Sequence, residues 1–333
     1  MPGELRQPHL TVVNRSMHPL SCRAAKPQTD RLRSQWTDAE IPAADWHIRA
    51  PSSTKKLAPP NQPTFPPTHK DPNLAGKLDG RIALVTGAGR GIGRAIALDF
   101  AAEGARVAAA ARSQDQLDGL VEEIASKGGT AVAFPVDLYQ RSAAAELAAT
   151  VKSQMGPVDI LVNNAGIGSS AQPAPVAEFE QEFWDRTLPL NLTAPFLLCK
   201  AVLPDMVAAG WGRIITVASI NSRIPSMHAA GYVASKHGVM GLARTIAIEY
   251  ASAGITSNCI CPGPVKTVMN NARVEYDARR KGVDPEAYEA GLTLIGGRLV
   301  PKDISPLAVY LASEDARMVT GQSYNVDGGI VMS

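Results

Sequence analysis

Tyr232 and Lys236 stand four residues apart in the run Tyr232-Val233-Ala234-Ser235-Lys236, a spacing that puts both on one face of a helix. A phenol with a pKa near ~10 is a poor acid–base group at neutral pH, but an adjacent ammonium stabilises its phenolate. Such a pair suits moving a proton to or from an oxygen. Ser219, thirteen residues earlier, ends an apolar stretch and offers a hydroxyl for the same oxygen. A Tyr/Lys pair at this spacing is common by chance, so its weight depends on what accompanies it.

It is accompanied by Thr86-Gly87-Ala88-Gly89-Arg90-Gly91-Ile92-Gly93, which follows an apolar strand and opens a helical pattern. Bare backbone, free N–H groups and the helix dipole at such a junction suit a phosphate. The spacing is G-x-x-x-G-x-G over Gly87, Gly91 and Gly93, not the G-x-G-x-x-G of the usual dinucleotide turn, because Ile92 falls where the third glycine would be. Glycines also serve tight packing alone. At the end of the second strand, where an NAD site usually places a carboxylate for the adenosine ribose, this chain has Ala111 and then Arg112. A guanidinium there accepts the 2′-phosphate of NADP, and Arg90 adds a second cation nearby; two solvated surface arginines are the alternative.

These residues need a scaffold that brings strand ends together. From Gly76 onward short apolar strands alternate with helical stretches: Arg81–Thr86, Arg106–Ala111, Ala131–Pro135, Asp159–Asn163, Arg213–Ala218, Thr256–Ile260 and Ser323–Val326. Helices are expected from about Ile92, over Asp115–Ser126, Ser142–Met155, about Leu192–Ala209, Tyr232–Ala251 and near Asp303–Ala312. Strands alternating with helices predict an α/β fold: one doubly wound, Rossmann-type domain over residues 76–333, with a seven-stranded parallel sheet covered on both faces.

The 333-residue chain is 45% apolar and 19% charged, an ordinary globular balance. Its net charge of +2 hides a division. Residues 1–75 hold ten Lys/Arg against six Asp/Glu and twelve of the 25 prolines, whereas the remainder is net negative and has no basic excess to attract nucleic acid. The proline-rich segment lacks any sustained period and is expected to be a largely disordered extension, dispensable for the chemistry. A transit peptide or an over-called translation start would also produce such a segment. No apolar run reaches the ~18 residues of a membrane span, and four scattered cysteines make no disulfide framework. The expectation is a cytoplasmic protein with no membrane partner.

Together with Asn163-Asn164-Ala165-Gly166 and Pro262-Gly263-Pro264-Val265-Lys266-Thr267, these motifs stand in the order and spacing of the classical short-chain dehydrogenases/reductases. Val319-Thr320-Gly321 and Val326-Asp327-Gly328-Gly329 resemble the family's C-terminal ending, and the whole resembles most the 3-oxoacyl-acyl-carrier-protein reductase and polyketide ketoreductase group. The resemblance implies an NADP(H)-dependent oxidoreductase that moves hydride between a nicotinamide and a carbonyl or secondary alcohol. It assigns Tyr232 as proton donor and acceptor, Ser219 to the carbonyl oxygen, and Lys236 to the nicotinamide ribose and to lowering the Tyr232 pKa. Asn191, opening the long helix, would anchor a water in the proton relay. Gly87, Arg90, Gly91, Ile92 and Gly93 would hold the diphosphate and Arg112 the 2′-phosphate. Asp137 and Leu138 would meet the adenine, Asn164, Ala165 and Gly166 would line the channel, and Pro262, Val265 and Thr267 would hold the nicotinamide. It also implies a homotetramer paired through the long helices.

Four rivals are weighed by chemistry. Zinc-dependent dehydrogenation needs a Cys/His ligand set, for which the domain offers too few residues and no C-x-x-C, so no metal is expected. A serine hydrolase needs a G-x-S-x-G elbow, which is absent from the sequence. An NAD-dependent alcohol dehydrogenase and a non-catalytic NADP-binding regulator both share the fold. Residues 268–297 are expected to cover a small-molecule or carrier-linked substrate; Arg273, Arg279, Arg280 and Lys281 there suit either an anion or a solvated helix face. His228 is a pocket-wall or surface residue, and Cys259 and Cys261 are expected on alternate sides of a strand end as buried apolar groups.

Overall fold

The computed structural model describes residues 76–332. The expectation of a disordered extension over residues 1–75 lies outside the described residues. Seven strands form one parallel sheet in the order β3-β2-β1-β4-β5-β6-β7: β1 Ile82–Thr86, β2 Arg106–Ala111, β3 Thr130–Pro135, β4 Ile160–Asn163, β5 Gly212–Val217, β6 Ile255–Pro262 and β7 Ser323–Val326. The predicted α/β class and strand set hold.

Period-2 alternation along each strand sorts side chains to two cores. Ala83 and Val85 of β1 and Val107 and Ala109 of β2 face α1 (Gly91–Ala102), α2 (Gln114–Ser126) and α9 (Pro301–Ala312). Ile82, Leu84, Ala108 and Ala110 face α3 (Ala143–Met155), α5 (Ala194–Ala209) and the end of α6 (Ala230–Tyr250). The alanines of β2 keep side chains short, so helices can approach the sheet closely from both sides.

Two helical regions differ from expectation. The rod that begins the fourth crossover starts at α4 (Gln181–Leu188), passes through a π-helical turn at Pro189–Thr193, and continues as α5. Pro189 has no N–H to donate, which reads as a helix stop in sequence; here the wider turn absorbs it without ending the rod. Asn191 therefore sits inside a continuous rod rather than at a helix start. By length and apolarity alone the rod 181–209 would suffice to cross a membrane, an 18-residue stretch of it having mean hydropathy 1.5. Its inner face instead builds the core through Leu190, Leu198, Val202 and Met206.

Residues 268–297, expected only as a cover, include α7 (Val268–Lys281) and α8 (Pro285–Ala290). Thr267 caps α7 by accepting from the Asn270 N–H at 3.2 Å, and Asp284 caps α8.

Candidate active site

Strand order reverses between β1 and β4, and the loops leaving the carboxyl ends of these strands part there. Between them lies a cavity of about 1100 Å³. On one side it is walled by the turn after β1 and the ends of β2 and β3. On the other it is walled by the loops after β4, β5 and β6, with α7 and α8 above.

The turn after β1 is built for backbone approach. Gly87 and Gly91 have φ of 65° and 60°, a region that L side chains seldom adopt. A Cβ on Gly87 would lie 2.7 Å from Asn164 Nδ2, and one on Gly93 would lie 2.4 Å from the Gly87 carbonyl oxygen. Arg90, the residue before α1, makes no side-chain cap, and the first turn of α1 carries no acidic residue. Its N–H groups and the positive end of the dipole therefore face the cavity uncompensated. Thr86 fixes this turn to the next loop: its hydroxyl donates to the Val162 carbonyl (3.1 Å) and accepts from the N–H groups of Asn164 (2.9 Å) and Ala165 (3.1 Å). Asn164 Nδ2 donates back to the Thr86 carbonyl at 2.8 Å.

Gly87, Arg90, Gly91 and Ile92 line the cavity, as do Arg112, Asp137 and Leu138 at the neighbouring strand ends. Asn164, Ala165 and Gly166 line it after β4, and Pro262, Val265 and Thr267 after β6. Gly93 stands behind this wall, where its missing side chain lets α1 meet the turn. The Arg112 guanidinium lies 5.9 Å from the Tyr139 ring centroid, a cation–π contact at the cavity rim.

At the far end Ser219, Tyr232 and Lys236 converge. Ser219, two residues past β5, is in extended backbone and its hydroxyl accepts from the Asn221 N–H at 3.1 Å. Tyr232, in the first turn of α6, lies beside Ser219 on the cavity wall. Burial pushes the Tyr232 phenol above its ordinary value, and the Ser219 contact only partly offsets this. Lys236 lies one turn deeper; burial lowers its ammonium to about 8. Desolvation of the phenolate thus sets the net direction for Tyr232.

Asn191 does not line the cavity. It is 2% exposed, and its amide closes a two-way bridge with Ile167, accepting from the N–H and donating to the carbonyl, both at 2.9 Å. It also donates to Ser235 Oγ at 3.2 Å, beside Lys236. Cys259 and Cys261 share one face of β6, since residues two apart in a strand point the same way; the expectation of alternate sides is wrong. Both are buried, and burial pushes the Cys259 thiol up to about 12, so it is no nucleophile. Sequence reasoning missed Ser169, Ser226 and Asp277 on the cavity wall, because nothing local marks two serines in unrelated loops as neighbours.

A doubly wound sheet with a glycine turn at its switch point and a Ser–Tyr–Lys set across the same cavity defines a dinucleotide-type oxidoreductase scaffold. The comparisons agree: the family model for short chain dehydrogenases matches residues 81–278, and the chain belongs to that family. The D-beta-hydroxybutyrate dehydrogenase of Cupriavidus necator is 38% identical over 260 residues, covering 76% of this chain and 99% of that protein. The 3-oxoacyl-acyl-carrier-protein reductase FabG of Staphylococcus epidermidis is 38% identical over 251 residues, 75% of this chain and 98% of that one. A solved tryptophan variant of actinorhodin polyketide ketoreductase with NADPH superposes with a TM-score of 0.72 at 35% identity, covering 77% and 99%. The protein is an oxidoreductase of the CH–OH/C=O class, similar to the oxoacyl reductase and ketoreductase group.

Proposed function

We propose that the protein is an NADP(H)-dependent reductase of a small carbonyl compound, reversible toward the secondary alcohol, with Tyr232 as the proton donor. The observation that carries this reading is the pairing of the Ser219 and Tyr232 hydroxyls at the wall of a cavity whose other end is the glycine turn.

The cradle fits a dinucleotide: backbone N–H groups at Gly91–Gly93 suit a diphosphate, and a Cβ at Gly87 or Gly93 would push the turn off the Asn164 loop and displace them. Arg112 would meet a 2′-phosphate and Arg90 would assist it. Asp137 and Leu138 would meet adenine, Asn164–Gly166 would line the channel, Pro262, Val265 and Thr267 would face the nicotinamide, and Lys236 its ribose. When bound, the nicotinamide supplies hydride to the carbonyl carbon or takes it from the alcohol carbon.

Ser219 donates a hydrogen bond to the substrate oxygen and so aims the carbonyl. The O–H bond of Tyr232 breaks as its proton passes to that oxygen, giving the alcohol and a phenolate. A phenol whose pKa burial has raised stays protonated at neutral pH, the form needed to donate to the carbonyl oxygen. Asn191 braces Ile167 and Ser235, one residue from Lys236, where a relay that reprotonates Tyr232 would run. Small size of the substrate is supported by the relatives' names, and a cytoplasmic homotetramer remains part of the same proposal.

Tyr232→Phe keeps the ring and removes the donor. Turnover should fall by ~10²–10⁴-fold, while NADPH binding followed by fluorescence stays within about twofold of wild type, well under the ~1.4 kcal/mol of a tenfold change. Near-normal turnover would mean that another group delivers the proton.

A further inference from the structure

Helix α7 crosses above the cavity, and one of its faces, formed by Arg273, Tyr276, Asp277 and Arg280, is set against the segment 226–228. The contacts are made largely by one guanidinium. Arg273 Nε and Nη2 fork onto the Asp277 carboxylate at 2.7 and 3.1 Å. Nη2 also donates to the Met227 carbonyl (2.9 Å) and Ser226 Oγ (3.2 Å), while Nη1 donates to Ser169 Oγ (3.2 Å). Arg280 approaches the same carboxylate at 3.3 Å. The Arg273 and Asp277 side chains are 15% and 12% exposed, so the pair is shielded from solvent screening.

The three places joined here matter. Ser169 belongs to the loop after β4, where Ser170 also donates to the Met269 carbonyl on α7 at 3.0 Å. Segment 226–228 is the run-in to α6, and Tyr232 lies in the first turn of that helix. His228, just before it, has φ of 57°, the one positive φ outside glycine among the described residues, and its ring lies 2.5 Å from the Tyr276 hydroxyl. The strained residue is thus held from the α7 side as well.

We infer that Arg273 is a positioning residue for the reaction proposed above: with Asp277 it fastens α7 across both loops and so fixes the substrate wall and the approach of Tyr232. Three of the four basic residues named on α7 have partners within the fold. Arg273 and Arg280 are spent on Asp277, and Lys281 lies over the Tyr288 ring at 4.6 Å, so these three do not form an open receptor for an anion. The fork demands arginine. A lysine carries the charge on one nitrogen and cannot reach Asp277, Ser169 and Ser226 together.

The test compares Arg273→Lys, Arg273→Met and the double variant Arg273→Met/Asp277→Asn in the full chain. Arg280 remains to pair Asp277 in the single variants, and the double variant leaves no buried charge unmatched, so folding is protected. In all three, KM for the carbonyl should rise at least about tenfold, the scale of one lost charge-assisted hydrogen bond, while NADPH Kd stays within about twofold. Hydrogen exchange in 226–232 and 268–281 should quicken in parallel. Lysine should not rescue. Full rescue by lysine, or wild-type KM and wild-type exchange in Arg273→Met, would overturn the inference. If the wild type reduces no carbonyl at all, the proposed reaction fails, and exchange alone decides the fastening: unchanged exchange overturns it.

Discussion

Lys236 aims its Nζ at the Val217 carbonyl, 2.8 Å away, and the same nitrogen lies 5.7 Å from the centroid of the Tyr232 ring. The ammonium is thus anchored to the end of β5, beneath the phenol, at a fixed height in the cavity. Its position is set by the sheet, and its lowered pKa by burial.

From this comes a pH prediction. Burial lowers Lys236 from 10.5 to about 8, so its charge is lost in the free enzyme as pH rises through about 8. Since kcat/KM reports free-enzyme ionisations, kcat/KM for NADPH should decline with a midpoint near 8. Stability moves the other way. Between pH 8 and 10.5 the unfolded chain keeps a proton that the folded chain has released, so Lys236 destabilises most at low pH and progressively less across that window. Lys236→Met should therefore gain stability relative to wild type at pH 7 and lose that advantage by pH 10.5. Denaturant melts at the two pH values check the sign.

Cofactor choice should follow the end of β2. Ala111 offers no carboxylate to ribose hydroxyls, and a charge-assisted contact from Arg112 contributes ~1.5–3 kcal/mol, roughly a ten- to hundredfold preference for NADPH. Exposure of Arg112 argues for the lower part of that range. The comparison is kcat/KM for NADPH against NADH in wild type and in Ala111→Asp/Arg112→Ala. Equal use of both by the wild type, or no shift toward NADH in the variant, defeats the proposal.

Gly93→Ala probes the cradle without touching a reacting group. Its Cβ would fall 2.4 Å from the Gly87 carbonyl oxygen, so the turn must shift. Overpacking of this kind costs about 1–3 kcal/mol, and the displaced N–H groups should weaken NADPH binding further. Calorimetry and a melting curve on the one variant read both effects; unchanged affinity would detach this turn from the diphosphate.

The proposed subunit pairing through the long helices would draw on exposed apolar residues. Phe196 and Val207 on α5 and Ile248 on α6 are exposed to 46%, 43% and 84%. The proposed tetramer should dissociate in Ile248→Glu, which buries a charge in any such interface. Light scattering at micromolar concentration distinguishes the outcomes, and a wild-type monomer would reject the proposal.

The seven strands were legible because a sheet buried on both faces demands short apolar runs, and each run here is bounded by glycine, proline or a polar turn. The glycine turn, Ser219, Tyr232 and Lys236 were legible because strand ends of a doubly wound fold deliver them to one place. What the sequence alone could not decide were properties of contact. Pro189 reads locally as a stop, yet packing carries the helix through it as a π turn and sinks Asn191 into the interior. The raised Tyr232 pKa depends on how much water the finished cavity excludes, which no spacing encodes. Likewise Arg273 in isolation is one more surface cation. Its five donors acquire a purpose only when Ser169 and Ser226, 57 residues apart, are brought under α7 by the crossovers of the sheet.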